Sequence, residues 1–381
     1  MPTLTIDLLP KFATDCLLGL LFHLDPSYRI TITPTAFLVD GPKPQKAIEN
    51  ALEIAEEHIE ERQATLKKGA SLRLPMSGND KIVVTQICRE LGKRGGDIDA
   101  LTFVKLVKDN LPSIISSKSS FRLIEILKPE FYEYNRVPGY STTSLIKNKT
   151  YPLLSIALAV CGYLTCAVGR ARINENEFVT VVVTPLASST EKGFIINPDY
   201  IISHQNGYNS LANHILQRNG ILGGLFPEPA LHLLMASLMG GTDISVYAIT
   251  EPGGNSPASI FTSVNMSLHR TYGELKRHGI IGENGVRDDF LRLLERALDV
   301  RTKEADKAVA RAVAIRYSIL LYEALHGLKP LEEFVYTVDR EFMRWVFVDK
   351  SKLPKKGGQD FNTYMLQRHA LGISRILSRA I

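Results

Sequence analysis

Cysteine and tryptophan are scarce: the chain has four cysteines (Cys16, Cys88, Cys161 and Cys166) and one tryptophan in 381 residues. So few thiols in so long a chain do not make a disulfide scaffold, and a core of this size needs no covalent staple. A reducing, cytoplasmic setting is the expectation. Signatures of chemistry are lacking as well. No Gly-x4-Gly-Lys-Ser/Thr loop is present to cradle phosphate on backbone amides. The dinucleotide pattern Gly-x-Gly-x-x-Gly is also absent, since Gly220-Ile221-Leu222-Gly223-Gly224 lacks its first spacing. Neither His-Glu-x-x-His nor Cys-x-x-Cys occurs, so no metal site and no cofactor are expected. No charged start leading into an apolar run and a small-residue cleavage site opens the chain, so no secretory signal is expected.

Two fragments come near a catalytic pattern. Gly254-Asn255-Ser256-Pro257-Ala258 resembles a nucleophile elbow, but Pro257 disturbs the sharp turn into a helix that places such a serine. Pro198-Asp199 and Glu274-Leu275-Lys276 pair on paper as a nuclease centre, far apart in the chain. The expectation is that the protein is not an enzyme; a hydrolase or nuclease with an unrecognised active site is the alternative.

What the chain does have is an ordinary globular composition, 45% hydrophobic and 22% charged, long enough for two domains. Its net charge of +5 hides a pattern. Residues 1–66 carry 5 basic and 10 acidic side chains, a net of −5, and residues 67–172 carry 17 and 8, a net of +9. Residues 173–267 return to −5 with 2 and 7, and residues 268–381 rise to +6 with 21 and 15. Two positive blocks suit a polyanion; helix faces solvated by charge are the other reading.

Apolar periodicity predicts an α+β protein: a mixed α/β N-terminal body over residues 1–285 and an all-helical C-terminal bundle over 286–381. In the body, Tyr28–Thr33 and Ala36–Val39 read as a hairpin, and Pro44 opens a helix with Ala47, Ile48, Ala51, Leu52, Ala55 and Ile59 as its stripe. Asp80 caps a helix to about Leu91, and another runs from about Ile98 to Asn110. Strand character follows in Phe121–Tyr134, Glu177–Leu186, Gly193–Ile202 and Ser245–Ile249, with helical patterns near 208–218 and 229–239. Residues 150–169 are uncharged throughout. They read as a buried helix, because Pro152, Ser155, Gly162, Thr165 and two cysteines break the apolar run that a membrane span needs. After 285, the stretches Asp288–Val300, Thr302–His326, Pro330–Phe347 and Phe361–Ile381 each show three- and four-residue spacing, and their short connections favour antiparallel neighbours.

Polyanion chemistry is the strongest functional signal. In the basic region 67–149, Lys67, Lys68 and Arg73 precede a Pro-Met-Ser-Gly-Asn turn, and Lys81, Arg89, Lys93 and Arg94 surround the next helix. Lys118, Arg122, Lys128 and Arg136 interleave with Phe121, Phe131, Tyr132 and Tyr134, a pattern for phosphate neutralisation with base stacking, in which the phenylalanines are expected in the core and the tyrosines are the candidate stackers. Near the end, Lys355 and Lys356 sit in a Pro/Gly loop, while Arg368, Arg375 and Arg379 share a helix face. Base edges are read by polar side chains. Asn79, Gln205 with Asn206, and Asn255 lie in the three polar loops that offer them, and each loop is also a turn by its geometry.

The length, the mixed body, the basic loop from Lys67 to Lys81, the motif-free middle and the terminal bundle together resemble the large subunit of archaeal type I-A CRISPR surveillance (Cascade-type) complexes. The resemblance implies a non-enzymatic subunit near the 5′ end of a guide RNA. Such a subunit contacts the backbone and small subunits, checks the short duplex motif beside the target DNA, and helps recruit a helicase-nuclease. Base pairing then reads most of the sequence. No motif-reading residue is placed by pattern.

Overall fold

The computed structural model describes residues 2–64, 72–76, 78, 80–93, 98–129, 149–172, 178–186, 194–195, 205, 228–251, 258–282, 286–298, 305–348, 353–356, 360–379 and 381. The fold is α+β, as its mixed strands and helices followed by consecutive C-terminal helices require. Two compact units divide the chain. The first takes Met1–Arg170, Phe178–Asn219 and Asp243–Asn265, and the second Ala171–Glu177, Gly220–Thr242 and Met266–Ile381.

The first unit opens with β1 (Thr3–Asp7), α1 (Lys11–Leu21), β2 (Arg29–Ile32) and β3 (Ala36–Asp40). Pro34 and Thr35 turn β2 into β3, and Thr33 closes the turn: its Oγ1 donates to the Ala36 carbonyl at 2.8 Å and accepts from the Ala36 amide at 3.0 Å. β1 pairs antiparallel with β3, and β2 pairs with both β3 and the short β8 (Phe194–Ile195), giving the order β1-β3-β2-β8. A second sheet holds β6 (Ala167–Arg172), β7 (Phe178–Pro185), β9 (Ile244–Thr250) and β10 (Ser259–Met266) in the order β10-β9-β7-β6. The helices α2 (Pro44–Ala64), α3 (Asp80–Glu90), α4 (Ala100–Asp109) and α5 (Leu111–Ser116) follow β3. Next come β4 (Ser120–Arg122), a 3-10 turn (Glu125–Leu127) and β5 (Thr150–Pro152), with β4 and β5 forming a small antiparallel ladder.

At the centre lies α6 (Leu153–Cys166), all 14 of whose residues are buried. It rises about 21 Å at 1.5 Å per residue, short of a bilayer's roughly 30 Å hydrocarbon core, and β5 and β6 bound it. Among the described residues no helix is long and apolar enough to cross a membrane. Its closest partner is α1. A Cβ at Gly162 would stand 2.1 Å from the Cys16 carbonyl oxygen, and one at Gly19 would stand 2.2 Å from Cys166 Sγ. Each helix therefore gives a glycine to the other, and the two backbones approach as side chains would forbid. α1 also buries Asp15. Burial pushes its carboxyl above the ordinary value, and the Lys11 ammonium at 2.7 Å pulls it back. Tyr247 of β9 donates its hydroxyl to the same oxygen.

The second unit is helical. α7 (Glu228–Met239) and α8 (His269–Arg277) precede α9 (Arg287–Leu298), α10 (Ala305–Leu325), α11 (Leu331–Val346) and α12 (Phe361–Leu377). Polar ties fix the packing. Asp306 accepts from the Asn362 amide at 2.9 Å and from Thr363 Oγ1 at 3.0 Å, docking the start of α12 on α10. Trp345 Nε1 donates to Gln367 at 2.7 Å and Ser374 Oγ to Asp339 at 2.7 Å, joining α11 to α12. Burial raises the Asp306 carboxyl, but these donors overturn that and hold it below its ordinary value.

The expected elements from Tyr28 to Asn110, at 150–169, 229–239 and 245–249, and after 285 all find counterparts among these. Phe121–Tyr134 gives β4 and the 3-10 turn, with residues beyond Pro129 outside the description, as are 208–218. The strands β1 and β10 are additional to the expectation. Gly162→Ala should destabilise the first unit by about 3 kcal/mol, because backbone rather than a movable side chain meets the new methyl. Gly273→Ala in α8, where nothing lies within 4 Å, should stabilise by about 0.5–1 kcal/mol; urea denaturation of both variants checks the pair.

Candidate nucleic-acid interface

In the first unit the loop before α3 is held against the start of α4. Arg73 bridges Asp99 across their backbones, and the Ala100 amide donates to the Leu72 carbonyl at 2.8 Å. Asp99 caps α4 by accepting from the Thr102 amide at 2.7 Å. Arg73 is exposed in this loop, and α3 itself carries the exposed Lys81, Gln86 and Arg89. At the other side of α3, Asp80 Oδ1 accepts from the Glu125 amide at 3.0 Å and fastens the helix to the 3-10 turn. Between α3, β4 and that turn opens a cleft of about 990 Å³, lined by the cations Arg89, Arg122 and Lys128, the carboxylates Asp80, Glu90 and Glu125, and Ile82, Gln86 and Phe121 among others. The structure thus gathers Arg89 and Arg122 around a half-buried Phe121, with Ile82, 63% exposed, on the rim.

The cations of this region divide into two sets. Lys105 and Lys108 on α4 face the glutamates of α2: Lys105 lies 3.3 Å from Glu56 and 3.2 Å from Glu60, and Lys108 lies 2.5 Å from Glu56. Burial pushes Glu56 up, yet hydrogen bonds from Lys108 and Lys105 win and hold its carboxyl below the ordinary value. Lys128 is paired with Glu125 at 3.1 Å. By contrast, Arg73, Lys81, Arg89, Lys118 and Arg122 meet no carboxylate in an ion pair among the described residues. Part of the +9 block therefore cancels against the acidic block before it, while these cations are left without an ion pair among the described residues.

Other predicted residues fall in different places. Lys93 is half-buried in the turn after α3, its amide donating to the Cys88 carbonyl at 2.9 Å. Burial raises the Cys88 thiol to about 11 against the pull of Lys93, and all four cysteines are buried thiols. Gln205 Nε2 donates to the carbonyls of Phe22 and Leu24, both at 2.8 Å, so its amide nitrogen ties down the end of α1. Lys67, Lys68, Asn79, Arg94 and Asn206 lie outside the described residues, as do Phe131, Tyr132, Tyr134, Arg136 and the Ser256 loop. In the second unit Lys355 and Lys356 are exposed, and Arg368 and Arg375 stand exposed on α12. Glu274 of the paper nuclease pair is held by Arg277 at 2.6 Å, and Asp199 is outside the description. No group of three His, Cys, Asp or Glu side chains among the described residues is arranged to hold a metal.

A family model described as CRISPR-associated protein, CsaX, matches residues 39–342, well over half of the chain. The chain belongs to this CRISPR-associated family. No curated protein matches it. The CsaX match spans the α3–β4 cleft and most of the helical unit, so both cation-bearing surfaces of the CsaX-family chain fall within or directly after the family region.

The sequence places Arg89 on one helix and Arg122 beside Phe121 in a separate stretch, and the fold brings the three to one cleft. Sequence reasoning passed over the outer face of α11, where Tyr336, Arg340, Met343, Arg344 and Phe347 recur at helical spacing. That spacing was the available signal. For the α2–α4 pairing, Glu56→Gln should cost roughly 1 kcal/mol at neutral pH. Because the folded pKa of Glu56 is depressed, its contribution is present above the ordinary value of 4.5 and is lost as pH falls through the lower folded value. Urea midpoints of wild type and variant should differ at pH 7 and converge in acid.

Proposed function

We propose that this chain is the non-catalytic large subunit of a CRISPR RNA-guided DNA surveillance complex. In this reading it binds the 5′ region of the guide RNA and the duplex motif beside the target, joins the backbone and small subunits, and helps recruit a helicase-nuclease. Membership in a CRISPR-associated family supports the setting. The observation that carries the reading is the pair Arg89 and Arg122, which line one cleft without an ion-pair partner among the described residues, with Lys81 exposed on the same helix α3 and Arg73 exposed in the loop before it. Guanidinium groups without internal carboxylates neutralise phosphates at little internal cost, and a half-buried aromatic between them suits a sugar or base face. Lys67, Lys68 and Arg94 extend the same basic region in sequence, while Asn79 and Asn206 are the polar residues nearest to base-edge chemistry. The type I-A assignment and an archaeal source belong to this proposal and rest on the resemblance.

The assembled complex should bind target duplex with an affinity that falls steeply with salt. Arg89→Ala with Arg122→Ala should weaken binding of all sequences alike and lower the salt slope by about 2. Lys105→Ala with Lys108→Ala, which removes cations already matched by Glu56 and Glu60, should leave the slope unchanged. Equal effects of the two double variants in filter binding would refute the cleft as the phosphate surface. Metal-dependent cleavage of nucleic acid by the isolated chain would refute the non-catalytic reading.

A further inference from the structure

The helix α11 presents two opposite faces. Inward, Phe334 and Val338 are buried, and Phe342 and Trp345 pack their rings against Tyr364 of α12 at centroid distances of 6.3 and 5.4 Å. Outward, residues 336, 340, 343, 344 and 347 follow at intervals of four, three, one and three, which on a 3.6-residue repeat is one stripe. Tyr336 is 64% exposed, Met343 45% and Phe347 81%. An exposed phenylalanine of that degree beside Met343 and Val346, the latter 57% exposed, is no ordinary solvated helix face. Neither Tyr336 nor Phe347 meets another aromatic ring among the described residues.

Most carboxylates of this helix have partners: Asp339 accepts from Ser374 at 2.7 Å, Glu341 from Tyr317 at 2.7 Å and from Arg316, and Glu333 pairs with Lys329 at 2.9 Å. The exposed Glu332, four residues before Tyr336, stands at the start of the outward stripe. The outward cations are Arg340 and Arg344, and neither makes an ion pair among the described residues. Both are instead laid over rings, Arg344 over Trp345 at 4.2 Å and Arg340 over Tyr336 at 5.4 Å from the centroids. Stacking of this kind holds a guanidinium out along the surface with part of its rotamer entropy already lost. Exposed Lys355 and Lys356 follow in the chain.

We propose that this face of α11 is a stacking platform for single-stranded nucleic acid, with Tyr336 and Phe347 as the base-stacking rings and Arg340 and Arg344 as the phosphate contacts. The proposal rests on the reading of the chain as a nucleic-acid-binding subunit and adds to it a second surface and a strand state. Exposed rings bind bases only where those bases are unpaired, since a duplex hides its π-faces; alternating rings and guanidinium groups are the pattern for such strands. The rings lie eleven positions apart, about 16 Å along the helix, a span of a few nucleotides. A protein partner would also welcome aromatic, Met and Arg side chains. What favours a polyanion is the pair of stacked arginines, neither of them ion-paired among the described residues.

The test uses the full chain and a fluorescein-labelled single-stranded oligothymidylate of about 20 nucleotides, longer than one platform needs, beside a duplex of the same length. Anisotropy should show Tyr336→Ala with Phe347→Ala weakening single-strand binding about tenfold or more, with duplex binding changed less than twofold. Tyr336→Phe, which keeps the ring, should bind as wild type, and Phe347→Leu, which keeps apolarity but not the ring, should not. Trp345, the sole tryptophan, lies beneath Arg344, so its emission should change when the single strand is added and stay unchanged with the duplex. Exposed side chains are replaced, so thermal midpoints should match wild type and exclude misfolding as the cause. If wild type binds the single strand and the double variant binds equally well, the platform is refuted while the Proposed function stands. Equal losses on single strand and duplex, or wild-type affinity for Phe347→Leu, also refute it, the latter in favour of an apolar protein-docking face. If wild type binds neither probe, the platform is refuted, and the Proposed function stands or falls by the filter binding of the assembled complex.

Discussion

The first unit depends on the close crossing of α1 and α6. Gly162 lies against the Cys16 carbonyl and Gly19 against Cys166, so the helices meet backbone to backbone, and the sheet elements are arranged around a pair that leaves no room for adjustment. Close packing of this kind transmits any added volume into the surrounding core. It also explains the uncharged run that first suggested a membrane. α6 is apolar on every side because α1, α2, α4 and β7 are among the elements that surround it, and a helix buried all round shows no polar stripe.

The same core fixes the surface that matters. α4 packs along α2, and the lysines of one meet the glutamates of the other. α3 is fastened from the other side, through Asp80 and the Glu125 amide. The cations left over, on α3, on β4 and in the loop at Arg73, are those whose positions the core has turned outward. Unpaired positive charge is thus a remainder after internal pairing, and its location follows from helix packing rather than from local sequence density.

This is also why the sequence was legible in part. The hairpin at Thr33–Ala36, the start of α2 at Pro44 and the C-terminal helices were readable because turn residues and amphipathic spacing act locally. α1 was harder, since Phe12, Ala13, Cys16, Leu17, Leu18 and Leu20 are buried around its whole circumference and give no periodic contrast. The strand β1 is specified by its pairing to β3, about thirty residues away or more, which no short window contains. For the site, counting charge located a real basic block but overstated it, because Lys105 and Lys108 find partners 45 and 52 residues distant. The face of α11 was legible by spacing; a search confined to clustered cations passed over Tyr336 and Phe347.

The chain belongs to a CRISPR-associated family, and in the proposed reading its unpaired cations hold nucleic acid in a guided complex. Sequencing the nucleic acid that copurifies with the chain from its native host tests this most directly. The account predicts short RNAs of uniform length sharing a common repeat-derived 5′ end. A preparation free of nucleic acid, or one carrying a random sample of cellular RNA, would contradict it.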